Sequence, residues 1–166
     1  MPSRILGIDP GSRVTGFGVI EVSGNRIAYV ASGCVRVQGE DLGQRLKCIF
    51  DGIRSVVQQF GPDAASVEQV FVRHNVASAL KLGQARGAAI CAAAAHGVDV
   101  FEYTPASVKQ AVVGTGRADK SQVQFMIKTL LKLADFPQQD AADALACAVC
   151  HYHTESQGRL VREHSR

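Results

Sequence analysis

No run in this chain is long and apolar enough to cross a bilayer. The longest stretch without charge or strong polarity, residues 87–95, is about half of what a span needs. A disulfide scaffold is excluded in the same way. The five cysteines, Cys34, Cys48, Cys91, Cys147 and Cys150, are odd in number and lack framework spacing, so they are expected to be reduced and mostly buried. Repeats, linkers and low-complexity segments are absent, and 166 residues are too few for two comfortable domains. Residues 1–156 are therefore expected to form one domain, with residues 157–166 a polar, frayed tail. The start, Met1-Pro2-Ser3-Arg4, shows no secretory signal before the first expected strand, which makes the cytoplasm the expected compartment.

What the chain does have is an ordinary globular composition, 46% hydrophobic and 20% charged, and an uneven distribution of charge. Residues 1–72 are neutral overall, residues 73–132 carry +5, and the remainder carries −2. The middle third is the natural face for a polyanion, although a merely solvated surface explains the charge equally well. Cys147-Ala-Val-Cys150-His151 matches a c-type haem attachment string, with His153 close behind. The string lies in an alanine-rich helical run, and no second ligand pair completes a zinc site. Core cysteines are the better reading.

Apolar spacing and turn residues lay out the elements. Strands are expected at residues 4–9, 14–22 and 26–37, joined by tight turns into an antiparallel meander. A helix over 41–60 ends at Gly61-Pro62 and leads to a strand at 64–70. A helix over 75–96, a strand at 98–103 and a short helix from Thr104-Pro105 to Val113 follow. Helices over 119–134 and from about Asp140 complete the chain. A right-handed crossover would lay the fourth strand parallel to the first.

Four carboxylates then stand out at or beside element ends: Asp9, Glu68, Asp140 and Asp143. Asp9 closes the apolar run Ile5-Leu6-Gly7-Ile8, where an uncompensated acid is costly. Parallel pairing of the first and fourth strands makes Asp9 and Glu68 neighbours. Asp140 and Asp143, three apart, share one helix face near its positive end. Oxygen ligands of this kind suit magnesium, with manganese as a substitute. Two such ions about 3.5–4 Å apart can clamp the attacking and leaving oxygens of a phosphodiester displacement. Each acid also has a plain alternative: a turn residue at Asp9, a surface residue at Glu68, a helix cap at Asp140, a first-turn acid at Asp143. Phe71, beside Arg73 and His74, is either a base-stacking ring or a core phenylalanine. Lys109, Arg117 and Lys120 surround Gly114-Thr115-Gly116, a turn able to approach phosphate.

The segments LGIDPGSRVTG (6–16), EQVF (68–71), SALKLGQARG (78–87), KSQVQ (120–124) and DAADAL (140–145) closely resemble the bacterial RuvC family of Holliday-junction resolvases. The resemblance runs in order over about residues 4 to 153. It implies a ribonuclease-H-like α/β fold: a five-stranded mixed sheet, three strands antiparallel and two parallel, with helices on both faces. It also implies a homodimer that nicks two opposed strands of four-way junction DNA with magnesium, and cooperation with a branch-migration helicase complex. Asp9, Glu68, Asp140 and Asp143 match the family's metal-binding acids, though some relatives carry His at one late position. Lys109 and Lys120 match basic residues beside the scissile phosphate, and Phe71 matches a base-contacting aromatic. Arg73, Lys81, Arg86 and Arg117 are the further expected DNA contacts. The helix over 75–96 is the expected dimer interface. A ribonuclease-H-like nuclease of ribosomal RNA precursors, a sugar-kinase-type nucleotide lobe built on Asp9-Pro-Gly11, and a non-catalytic junction binder are the alternatives.

Overall fold

In a computed structural model of the protein, residues 2–71 and 75–164 are described, with side chains to residue 158. Three strands come first: β1 (Ser3–Asp9), β2 (Val14–Ser23) and β3 (Arg26–Arg36). Then follow α1 (Leu42–Phe60), β4 (Ala64–Glu68), α2 (Val76–Ala94) and β5 (Asp99–Tyr103). Helices α3 (Pro105–Val113), α4 (Lys120–Leu130) and α5 (Gln139–His164) close the chain. The sheet order is β3-β2-β1-β4-β5. The meander β1–β2–β3 is antiparallel, and β4 and β5 run parallel to β1. The expected crossover is therefore present.

β1 sits at the centre, and Ile5, Leu6, Gly7 and Ile8 are all buried, as a strand covered on both faces requires. Alternation divides its side chains. Leu6 and Ile8 join the core made with α1 and α2, whereas Ile5 joins the core made with α3, α4 and α5. Asp9, two residues beyond Gly7, falls on the α5 side. On β4, Ser66 sends its hydroxyl to the Cys147 carbonyl of α5 at 2.6 Å, so Glu68 falls on that side too.

α5 lies directly on the sheet because glycines clear its path. A Cβ at Gly7 would stand 1.8 Å from the Ala144 carbonyl, one at Gly16 would stand 2.1 Å from the Asp140 carbonyl, and one at Gly18 would stand 2.5 Å from Leu145 Cγ. Gly7 pairs with Gly18, and Asp9 with Gly16, so these residues form one patch of bare backbone beneath the helix. Ala141, Ala142, Ala144, Leu145, Ala146 and Ala148 are all buried, the mark of a helix enclosed on every side.

Helix ends follow local chemistry. Asp41, Asn75, Thr104 and Asp119 cap α1, α2, α3 and α4 through their side chains, and Asp119 with Gln122 forms a full capping box. Two boundaries differ from expectation. α4 stops at Leu130 rather than continuing to residue 134. Leu133 N–H reaches the Lys128 carbonyl at 2.9 Å and Lys132, at φ 53°, takes the left-handed position usually given to glycine. α5, moreover, continues to His164 instead of fraying after Ser156.

Candidate active site

β1 ends at Asp9, and the turn behind it is clasped by one side chain. The fully buried Thr15 hydroxyl accepts from Gly11 N–H at 3.3 Å and donates to Gly11 C=O at 3.1 Å. Gly11 allows this closure, since a Cβ there would stand 2.1 Å from the Val14 carbonyl. Parallel pairing runs to Ile8 and Val67, so the next residues, Asp9 and Glu68, project side by side. Asp143 descends on them from the first turns of α5.

These three acids line a cleft of about 210 Å³ together with Pro105, Val108, Lys109, Lys120, Val123 and Ala146. α3 supplies Lys109, and α4 supplies Lys120, whose Nζ lies 3.7 Å from Asp143 Oδ2. Burial raises the Asp9 carboxyl to about 8, helped by repulsion from Asp143, Glu68 and Asp140 and opposed by Lys120. Burial likewise raises Glu68, with Asp143 adding to it and Lys109 and Lys120 opposing. Asp143 is raised by burial against the pull of Lys120. Asp140 stands at the rim, not in the cleft lining: its charge adds to the rise of the Asp9 carboxyl and, after burial, to that of the Cys34 thiol on β3.

The donor set is made of hard oxygens, short of positive charge, and destabilised by mutual repulsion. It therefore fits a divalent cation better than it fits its own protons. Among the described residues no group of three or more His, Cys, Asp or Glu is already arranged around one ion position, and Asp9, Glu68 and Asp143 are the acids that line the cleft.

The other expected contacts divide. Phe71 is 58% exposed, which removes the core alternative and leaves a ring free to stack. Arg117 is exposed on the loop entering α4. Arg73, with its neighbour His74, lies outside the described residues. Lys81 is exposed but faces a separate groove between α1 and α2, lined also by Arg13 and Arg45. Arg86 departs furthest from expectation. Its Nε donates to the Glu68 carbonyl at 3.0 Å and its Nη2 pairs with Glu102, so it points inward. Sequence reasoning also passed over Gly7, Gly16 and Gly18, although glycine inside a strand pattern signals a close approach. Cys147, Cys150 and His151 are all core, with His151 Nδ1 2.7 Å from the Tyr103 hydroxyl, so the haem-like string is packing.

A mixed sheet of this order, with acids at the ends of its two central strands and an acid-bearing helix laid across them, defines a ribonuclease-H-like nuclease. A family model described as "Crossover junction endodeoxyribonuclease RuvC" matches residues 5–151. A curated protein of that name from Shewanella sp. (strain MR-4) is 60% identical over 150 residues, covering 90% of this chain and 87% of its own length. One from Hahella chejuensis is 58% identical over 152 residues, covering 92% and 88%. Among solved structures, Thermus thermophilus RuvC in complex with Holliday junction substrate superposes with a TM-score of 0.87 at 34% identity, over 94% of this chain and 96% of that one. The chain belongs to the RuvC family, whose members are DNA endonucleases that depend on a divalent metal.

Proposed function

We propose that this protein resolves four-way DNA junctions by nicking two opposed strands symmetrically during recombination and repair, with magnesium as the ion and manganese able to replace it. The observation that carries the reading is the buried Asp9 carboxyl, held between Glu68 and Asp143 in a cleft edged by Lys109 and Lys120. Asp9, Glu68 and Asp143 would hold the ion and Asp140 would join from the rim, for a proposed pair of ions. When bound, the metal supplies Lewis-acid stabilisation of the developing charge on the phosphate and lowers the pKa of water.

This chain's own groups then divide the work. Lys109 and Lys120 enter from adjacent helices and offset negative charge on the scissile phosphate. Phe71, only three residues after Glu68, stacks on a base unpaired at the junction centre, which brings the strand to the acids. Arg117 and the net +5 of residues 73–132 supply salt-sensitive backbone contacts, with Arg73 and Lys81 as further candidates.

A homodimer supplies two such clefts for two opposed strands. α2 favours this role: Val76 and Leu80 are 64% and 63% exposed, and Gly83 and Gly87 have open space above them. A branch-migration helicase complex is the family's implied partner. The cytoplasm is the proposed compartment, in keeping with the absence, among the described residues, of a helix able to cross a membrane.

Asp9→Asn or Asp143→Asn is expected to abolish magnesium-dependent nicking of a synthetic junction, by at least about 100-fold, while gel-shift affinity stays within a few-fold. Nicking at the wild-type rate by both variants would refute the metal-site assignment.

A further inference from the structure

We propose that Arg86 is a positioning residue for Glu68, fixing the end of β4 so that this carboxylate can meet the ion, and is not a DNA contact. The inference rests on the metal-binding reading of Glu68 above.

Glu68 is the last residue of β4, and the chain then leaves the sheet towards the exposed Phe71. Among the described residues, the β4–β5 pairing reaches Glu68 and Tyr103, and two hydrogen bonds hold the peptide at that end. Gln69 N–H donates to the Tyr103 carbonyl of β5 at 2.8 Å, and Arg86 Nε donates to the Glu68 carbonyl at 3.0 Å. The same guanidinium reaches Glu102 of β5 through Nη2. One side chain from α2 therefore ties β4 to β5 at the level of the catalytic carboxylate.

Arginine is suited to this by shape. Its planar fork offers Nε–H and Nη–H in fixed relation, so one rigid group can serve acceptors on two strands. A lysine ammonium carries three donors on one atom at the end of a flexible stem, so it lacks the fixed spacing that lets the fork meet both acceptors at once. The Arg86 side chain is 17% exposed, against 72% for Lys120, so it has little surface to offer a phosphate. α2 is also the proposed dimer helix, so Arg86 links the dimer contact to the metal site.

Mutation of residues that orient metal ligands typically costs about 10–100-fold in metal affinity. Arg86→Gln is therefore expected to weaken manganese binding to the DNA-free, full-length protein about tenfold by isothermal titration. The magnesium concentration for half-maximal nicking should rise by a similar factor. Junction affinity in a metal-free gel shift should change by less than about twofold, because no phosphate contact is lost. Arg86→Lys, which keeps the charge, should remain defective in metal binding, and it carries the same comparison if Arg86→Gln melts below the assay temperature. Glu102→Gln should give a smaller defect of the same kind.

Unchanged manganese binding with weakened junction binding, or full rescue by lysine, would overturn the proposal. Glu68→Gln is the parallel control. Wild-type manganese affinity in Glu68→Gln would overturn the metal role of Glu68 and this inference together. Loss of binding in Glu68→Gln with intact binding in both Arg86 variants would overturn only the role of Arg86.

Discussion

Asp9 holds a proton at neutral pH in the metal-free fold, because burial first, and then Asp143, Glu68 and Asp140, raise its carboxyl to about 8. Its ordinary value is 3.8, so between those limits the folded chain keeps a proton that the unfolded chain has released. Folding stability of the metal-free protein must therefore fall as pH rises from about 4 towards 8, by up to about 1.4 kcal/mol per unit for this one group. Glu68 and Asp143 are shifted in the same direction and add to the slope. Metal displaces those protons, so manganese should raise the melting temperature more at pH 8 than at pH 6. Thermal melts in chelator and in manganese check both statements, and Asp9→Asn should make the chelator profile shallower. A wild-type profile that is flat in chelator would show that Asp9 is ionised throughout.

At the scale of elements, the docking of α5 on bare strand backbone decides whether the acids meet. Gly7→Ala places a methyl group 1.8 Å from the Ala144 carbonyl, a contact that only movement of the helix or sheet can relieve. Overpacking of this kind typically costs about 1–3 kcal/mol. Gly7→Ala and Gly16→Ala are expected to lower the melting temperature and to weaken manganese binding, because Asp143 rides on the helix that moves. Gly24→Ala, at a turn with nothing nearby, should leave metal binding unchanged. Equal metal affinity in all three variants would mean that the site tolerates displacement of α5. Much at this scale was legible in the sequence. α3 was bounded correctly by Thr104, Pro105 and Gly114, because caps and breakers are local chemistry. The end of α4 was not, since Lys132 adopts a conformation that glycine usually signals. The length of α5 was also missed, because polar residues past Ser156 read as loop when tertiary support is unknown.

For the whole molecule, parallel adjacency of the first and fourth strands was enough to make Asp9 and Glu68 neighbours, whereas their common α5-facing side became visible only in the structure. The helical pair was legible only as a pair: spacing could not show that Asp143 enters the cleft while Asp140 stays at its rim. Arg86 was read as a DNA contact because a positive charge reads as a surface group until its partners, the Glu68 carbonyl and Glu102, are visible. The basic middle of the chain does supply the cleft's cations, Lys109 and Lys120. On the proposed reading two copies make the two opposed cuts, with the exposed end of α2 as the proposed contact between them. Leu80→Glu is expected to give a monomer by analytical ultracentrifugation and to replace paired cuts with single nicks. A dimer that persists in Leu80→Glu would move the interface elsewhere.

The three acids of the cleft come from β1, β4 and α5, elements far apart in the chain, and the third is delivered by the last of them. On the proposed assignment, a chain with α5 undocked would hold two of the three carboxylates and would lack a complete ion site, so cutting ability would arrive only with the last helix.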